Sequence, residues 1–207
     1  MCGRFTLLVD LFVIKEYFHI QEVACEYKQG NDISPTQQVV AIVLDQKLKL
    51  VCFRWGLIPP WTKDPSIGDR MFNARAESIA EKPSFNDAFR QRRCLIVADG
   101  FYEWARVDNK KIPYHFSLKS GAPFGFAGLY ETWMTPERKP VKTCTIISTE
   151  PNELIKPIHD RMPVIVSKDK ESLWLDPKVH NLKELMAVLK PYPAQEMNMT
   201  PGFIPAP

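Results

Sequence analysis

Three side chains in this sequence are placed where they could do chemistry: Cys2, Glu103 and His159. Cys2 follows the initiator methionine and is small enough for that methionine to be removed. Removal leaves an α-amine and a thiol on one residue. The amine titrates at about 7.7–8.0 and the thiol at about 8.5, so both are partly nucleophilic near neutral pH. Such an aminothiol condenses with an aldehyde to an imine, and the thiol then closes a thiazolidine ring. An internal cysteine cannot do this. The alternative is an unremarkable residue behind a retained Met1.

Glu103 stands inside Phe101-Tyr102-Glu103-Trp104. Carboxylates avoid aromatic surroundings unless paired or used. Strand alternation puts Phe101 and Glu103 on one face and Tyr102 and Trp104 on the other. An acid held among rings has a raised pKa, which suits proton transfer. A solvent-facing glutamate backed by rings is the structural alternative. His159 lies in Lys156-Pro157-Ile158-His159-Asp160-Arg161-Met162-Pro163, a proline-bounded loop of the kind that carries functional groups. Asp160 cannot be assumed to orient it, and a plain surface histidine is the alternative. His19 and His115 read as structural, and His180 falls in a polar loop. Arg4, Trp61, Arg75, Trp104 and Arg161 supply guanidinium groups and rings, which single-stranded nucleic acid requires. Trp55, Trp133 and Trp174 are assigned to the core.

The elements that must position these groups follow from periodicity. Residues 7–18 read as an amphipathic helix with Asp10 as its cap. Residues 29–32 read as a turn and 33–37 as an extended loop, because Pro35 pushes Ser34 out of the helical region. Residues 38–44 and 48–54 form a hairpin. Two adjacent prolines exclude regular structure across 55–61. Short helical stretches are expected at 79–82 and at 84–90, the second capped by Ser84. Strands are expected at 93–98, 101–104, 112–118, 124–130 and 141–149, with Asp99-Gly100 a turn between the first two. A helical turn at 151–155, an extended stretch at 163–166 and a helix at 182–189 complete the pattern. The proline-rich tail, 191–207, is expected to be irregular. The fold class is α+β: one domain, 1–207, on a largely antiparallel sheet or open barrel with short peripheral helices.

Net charge is +3 (27 Lys and Arg against 24 Asp and Glu), which permits an anionic partner without demanding one. The five cysteines are odd in number and lack CxxC spacing, against a disulfide framework or a structural zinc site. Cys52, Cys94 and Cys144 sit in apolar runs and read as buried, inert thiols. No apolar run approaches a membrane span, and the N-terminus lacks a signal-peptide pattern, so the expected location is intracellular. No HExxH, P-loop, GxGxxG, GxSxG or EF-hand pattern occurs, and no cofactor or metal is expected.

Six segments taken together carry a family resemblance: Met-Cys-Gly-Arg-Phe, Ile-Ser-Pro-Thr-Gln, Arg-Trp-Gly-Leu-Ile-Pro-Pro-Trp, Asn-Ala-Arg-Ala-Glu, Cys-Leu-Ile-Val-Ala-Asp-Gly-Phe-Tyr-Glu-Trp and Ile-His-Asp-Arg-Met-Pro. In this order, from Met1 to about Val166, they resemble the SOS-response-associated peptidase (SRAP) family. The resemblance implies capture of abasic sites in single-stranded DNA, the sugar aldehyde being trapped by Cys2 as a thiazolidine DNA–protein crosslink that shields the lesion. It implies that Asn73 hydrogen-bonds the Cys2 backbone or the adduct. Glu103 would shuttle protons during imine formation and assist removal of Met1. His159 would protonate the sugar ring oxygen and permit reversal. Arg4, Arg75 and Arg161 would meet phosphates, while Pro35, Trp61 and Trp104 would wedge or stack bases. Two departures are visible: Phe5 stands where Tyr is frequent, and Pro59-Pro60 replaces the commoner Pro-Ser before Trp61. The implied partner is abasic single-stranded DNA, met by a monomer in the cytoplasm and at the nucleoid when bound. A thiol peptidase with Cys2 as nucleophile, or a single-strand-binding module using only a basic groove, are the competing readings.

Overall fold

The computed structural model describes residues 2–108 and 110–202. The chain opens with strand β1 (Arg4–Leu7), helix α1 (Leu11–Phe18) and the short strands β2 (Glu22–Val23) and β3 (Gly30–Ile33). The hairpin of β4 (Gln38–Asp45) and β5 (Lys47–Trp55) follows, then β6 (Asn73–Arg75) and helix α2 (Asn86–Gln91). The long strands come next: β7 (Arg93–Ala98), β8 (Gly100–Val107), β9 (Lys110–Leu118), β10 (Phe124–Met134) and β11 (Pro140–Thr149). Short β12 (Met162–Pro163) and β13 (Ile165–Val166), helices α3 (Glu171–Leu175) and α4 (Leu182–Val188), and β14 (Met197–Pro201) complete the described chain.

Five strands close into a ring. β5 pairs with β4, β4 with β7, β7 with β10 and β10 with β11, all antiparallel. A short parallel joint, Thr143 opposite Arg54 and Cys144 opposite Trp55, links β11 back to β5. Closure removes the exposed edges that an open sheet would leave. β7 reads Arg-Cys-Leu-Ile-Val-Ala, and all six residues are buried. The continuous apolar run follows from having both faces covered, as α3 packs on the outer side while Phe53, Phe126 and Ile146 fill the core. The architecture is the α+β, largely antiparallel and barrel-like arrangement that the strand pattern implied.

A second, wholly antiparallel sheet runs in the order β14-β9-β8-β1-β3. Its central pairing sets Arg4 opposite Tyr102 and Phe5 opposite Phe101. β6 lies elsewhere, alongside β11, with Asn73 opposite Ile146 and Arg75 opposite Ser148 in parallel register. The N-terminal residues are thereby held between the two sheets.

Several expectations are corrected. The helix begins at Leu11, because Arg4–Leu7 is drawn into strand pairing instead. Asp10 occupies the N-cap position but makes no capping hydrogen bond; its carboxylate accepts from Gln29 Nε2 at 3.2 Å. The stretch expected as a turn before Ile33 is strand β3, paired with β1. Asp99-Gly100 is no hairpin turn, since β7 belongs to the ring and β8 to the second sheet. There Asp99 accepts from Thr6 Oγ1 (2.6 Å) and the amides of Val9 (3.0 Å) and Leu8, fixing the crossing. Gly100 is required because a Cβ at that position would lie 2.2 Å from His115 Nε2. The tail is not irregular throughout: β14 pairs with β9 from Met197 opposite Leu118 to Pro201 opposite Tyr114, and 203–207 fall outside the described residues. Trp55, Trp133 and Trp174 are buried, as are Cys94 and Cys144, whereas Cys52 is only half-buried. Among the described residues no helix is long and apolar enough to cross a membrane.

Candidate active site

The register of β1 on β8, carried one residue beyond Arg4 and Tyr102, sets Gly3 opposite Glu103. Cys2 lies behind them, fully buried. Its carbonyl accepts a hydrogen bond from Asn73 Nδ2 at 2.7 Å, and its Sγ makes a long 3.8 Å contact to the Arg4 carbonyl. Asn73 reaches it because β6 hangs on β11. Residues distant in sequence thus meet where the two sheets face each other.

Glu103 is 2% exposed, and burial pushes its carboxyl up to about 7. The cost of desolvating the charged form dominates. Burial, reinforced by the Glu103 charge, also pushes the Cys2 thiol well above its ordinary range. Phe101 and Tyr102 are buried beside Glu103, whereas Trp104 is half-buried and Arg106 exposed further along β8.

His159 is seated by two short helical turns. The Asn152 side chain accepts from the amides of Leu154 (3.1 Å) and Ile155 (3.0 Å), and the His159 amide donates to the Ile155 carbonyl at 2.9 Å. The ring's Nε2 then lies 4.0 Å from Glu103 Oε2. Nδ1 has two neighbours, the Arg161 amide at 3.0 Å and Asp160 Oδ1 at 2.9 Å. They suit different ring states. A neutral ring accepts the Arg161 N–H at Nδ1 and carries its proton on Nε2, while a charged ring turns an Nδ1 proton to Asp160. Burial lowers the His159 pKa, which favours the neutral form with Nε2–H toward Glu103.

Glu103, His159 and Gly3 line a cleft of about 430 Å³ together with Arg4, Trp104, Arg106 and Lys111. Arg106 and Lys111 were not singled out from the sequence. They are cross-strand partners in the β8–β9 ladder. Extending the alternation from Trp104 by two residues would have found Arg106 on the same face. Among the described residues no group of three His, Cys, Asp or Glu side chains is arranged to hold a metal ion.

The other expected site residues are distributed unevenly. Arg4 borders the cleft, but its Nη1 donates to Asp32 Oδ2 at 2.8 Å. Arg161 forks onto Glu77 at 2.7 and 2.9 Å and also donates to the Ser148 carbonyl at 2.6 Å, so its side chain is only 14% exposed. Arg75 is exposed two residues after Asn73, and Pro35 is half-buried just beyond β3. Trp61 is 63% exposed. Pro35, Trp61 and Arg75 do not line the cleft itself. The structure therefore gathers Cys2, Asn73, Glu103, His159, Arg4 and Trp104, and leaves the remaining four, Pro35, Trp61, Arg75 and Arg161, outside the cleft lining.

Comparison with known proteins places the chain in a family. Abasic site processing protein YoqW of Bacillus subtilis (strain 168) is 50% identical over 201 residues, covering 95% of this chain and 90% of its own. Abasic site processing protein HMCES of Xenopus tropicalis is 32% identical over 150 residues, covering 61% of this chain and 45% of its own. A crystal structure of a protein from Bacteroides thetaiotaomicron superposes with a TM-score of 0.87 at 26% identity, covering 96% of this chain and 90% of that one. The family model described as SOS response associated peptidase (SRAP) matches residues 1–201, and the chain belongs to that family.

Proposed function

We propose that this protein captures abasic sites in single-stranded DNA as a thiazolidine crosslink on Cys2, after Met1 has been removed. The observation that carries the reading is the 2.7 Å hydrogen bond from Asn73 Nδ2 to the Cys2 carbonyl, beside the buried Glu103. It holds residue 2 by its backbone and so fixes where an amine on that residue would point. The names of the relatives, abasic site processing proteins, support the same substrate.

The proton balance closes on Glu103. The Cys2 amine adds to the sugar aldehyde to give a carbinolamine. A carboxyl titrating near 7 is partly protonated at neutral pH, and it donates to the leaving hydroxyl. Water departs and an iminium remains. The resulting carboxylate takes the thiol proton as Sγ bonds to the iminium carbon. Glu103 returns to its starting form, and the net change is aldehyde plus aminothiol to thiazolidine plus water. Because the Cys2 thiol is pushed up by burial, little free thiolate is present, and this proton transfer has to accompany ring closure. His159, with a proton on Nε2, is suited to donate to the sugar ring oxygen as it opens. Arg106 and Lys111 add positive charge along the cleft for a phosphate backbone.

A buried thiol with a raised pKa is a poor nucleophile toward peptides supplied in trans, which argues against general peptidase turnover. Hydrolysis of the Met1–Cys2 bond remains part of the proposal, with Glu103 as base for the attacking water. The test is intact-protein mass after mixing with a single-stranded oligonucleotide carrying one abasic site. A denaturation-stable adduct of protein minus Met1, plus DNA, minus water is expected. Processed protein that forms no adduct overturns the reading.

A further inference from the structure

We propose that Cys25 and Cys52 form a redox modification site, a half-exposed dithiol that a peroxide converts to a disulfide. The inference does not rest on the abasic-site reading. It starts from strand register. β2 runs parallel to β5, with Glu22 opposite Lys49 and Val23 opposite Leu50. The Ala24 amide continues the ladder to the Leu50 carbonyl at 2.8 Å. Two residues beyond Val23 and Leu50 the chain bends at Cys25, and that register brings it beside Cys52. Neighbouring strands lie about 4.8 Å apart, within the Cα separation of about 4.4–6.8 Å that a disulfide spans.

The side chains follow the backbone. Cys52 Sγ donates to the Glu26 carbonyl at 3.6 Å, so it is turned toward the segment that carries Cys25. The two thiols are close enough to perturb each other's titration. Both residues are half-buried, whereas Cys2, Cys94 and Cys144 are buried. This pair is therefore the pair of described cysteines that a small oxidant can reach. With no third Cys, His, Asp or Glu grouped for metal binding among the described residues, redox chemistry suits it better than metal ligation.

The interaction between the two sulfurs also divides the roles. The interaction with Cys25 lowers the Cys52 pKa, with burial and Glu26 opposing, and the interaction with Cys52 raises that of Cys25. Cys52 is the attacking thiolate and Cys25 the resolving thiol. The Cys52 thiolate attacks one peroxide oxygen. An S–O bond forms, the O–O bond breaks, and the hydroxide leaves as water with a solvent proton. Cys25 sulfur then attacks Cys52 sulfur. The S–S bond forms, the S–O bond breaks, and the hydroxide leaves with the Cys25 proton as water. Two thiols and one hydrogen peroxide give one disulfide and two waters; the sulfurs are oxidised and the peroxide oxygens reduced. The bridge would close the chain around β3, which carries the Arg4 partner Asp32, and around Pro35.

The test is oxidation of the reduced, full-length protein with a small excess of hydrogen peroxide, followed by alkylation and denaturing mass measurement. The expected product has lost about 2 Da and contains a Cys25–Cys52 linked peptide that dithiothreitol releases. Its thermal midpoint should rise by roughly 5–10 °C over the reduced protein. Cys25→Ser removes the resolving thiol, so Cys52 should then stop at the sulfenic acid. Full alkylation of both cysteines after peroxide, or oxygen addition at Cys52 in the unsubstituted protein without a linked peptide, overturns the proposal. Both readouts are taken on the unsubstituted chain and stand even if the variant folds poorly.

Discussion

Arg161 meets both carboxylate oxygens of Glu77, at 2.7 and 2.9 Å, and so ties the loop bearing His159 to the chain just beyond Asn73. The guanidinium holds the Glu77 carboxyl below its usual range. A second donation, to the Ser148 carbonyl at 2.6 Å, anchors the same side chain to β11. The surroundings of Arg161 favour positioning over direct phosphate contact.

Glu77→Gln tests that role. Glu77 is more than half exposed, so losing the charge should cost no more than about 1 kcal/mol of stability. The expected effect on crosslinking is larger, roughly tenfold in rate on processed protein, because His159 loses its fixed approach to Glu103. DNA affinity should be nearly unchanged. A loss of affinity with an unchanged crosslinking rate would return Arg161 to the phosphate-binding set.

His159→Ala should slow capture of a natural abasic site by about a hundredfold, the lower end of what a positioned general acid contributes. An oligonucleotide bearing an aldehyde that cannot cyclise needs no ring opening. It should react with the variant at close to the unsubstituted rate. Gel-resolved time courses with the two substrates separate a ring-opening role from a merely structural one.

Arg106→Ala and Lys111→Ala address the basic wall of the cleft, which was not apparent before the fold was known. Each should reduce the dependence of log affinity on log salt by about 0.7, the slope expected per single-strand phosphate. Trp61 is 63% exposed, so Trp61→Ala should leave stability unchanged. If Trp61 stacks on a base, that substitution should weaken binding by about 1–3 kcal/mol with little change in salt slope. Titrations at several salt concentrations distinguish charge from stacking.

What was legible in the sequence was local chemistry. Cys2, Glu103 and His159 could be singled out as candidates from type and neighbours, because an N-terminal aminothiol, an acid among rings and a histidine in a proline-bounded loop are each unusual, but each kept a structural alternative that only the six-segment resemblance outweighed. Strand alternation and β-branching located most of β4, β5, β7, β10 and β11. Partners were illegible because they depend on pairing between distant segments. Nothing near Arg4 announces Asp32, and nothing near Arg161 announces Glu77. β14, Met-Asn-Met-Thr-Pro, is short and ends on a proline, and it becomes a strand because β9 offers it an edge. Asp99-Gly100 carries a hairpin's residue types, yet the same types serve a strand crossing between sheets when Asp99 has the amides of Leu8 and Val9 to receive.

Glu103→Gln is the substitution in which stability and activity should move in opposite directions. Burial raises the folded-state pKa of Glu103 from 4.5 to about 7. The folded state therefore binds more protons than the unfolded state between those values, and Glu103 makes stability fall as pH rises through that window. The shift corresponds to about 3 kcal/mol, absent below about pH 4.5 and fully expressed above about pH 7. A neutral glutamine removes that penalty. Chemical denaturation at pH 5 should find the two proteins similar, and at pH 8 should find the variant more stable. Crosslinking by the variant should nevertheless fall by about a hundredfold or more, since glutamine can neither protonate the leaving hydroxyl nor take the thiol proton. A variant that loses stability at pH 8 would mean that the carboxylate is held by compensating partners. A variant that keeps its rate would remove Glu103 from the proton path.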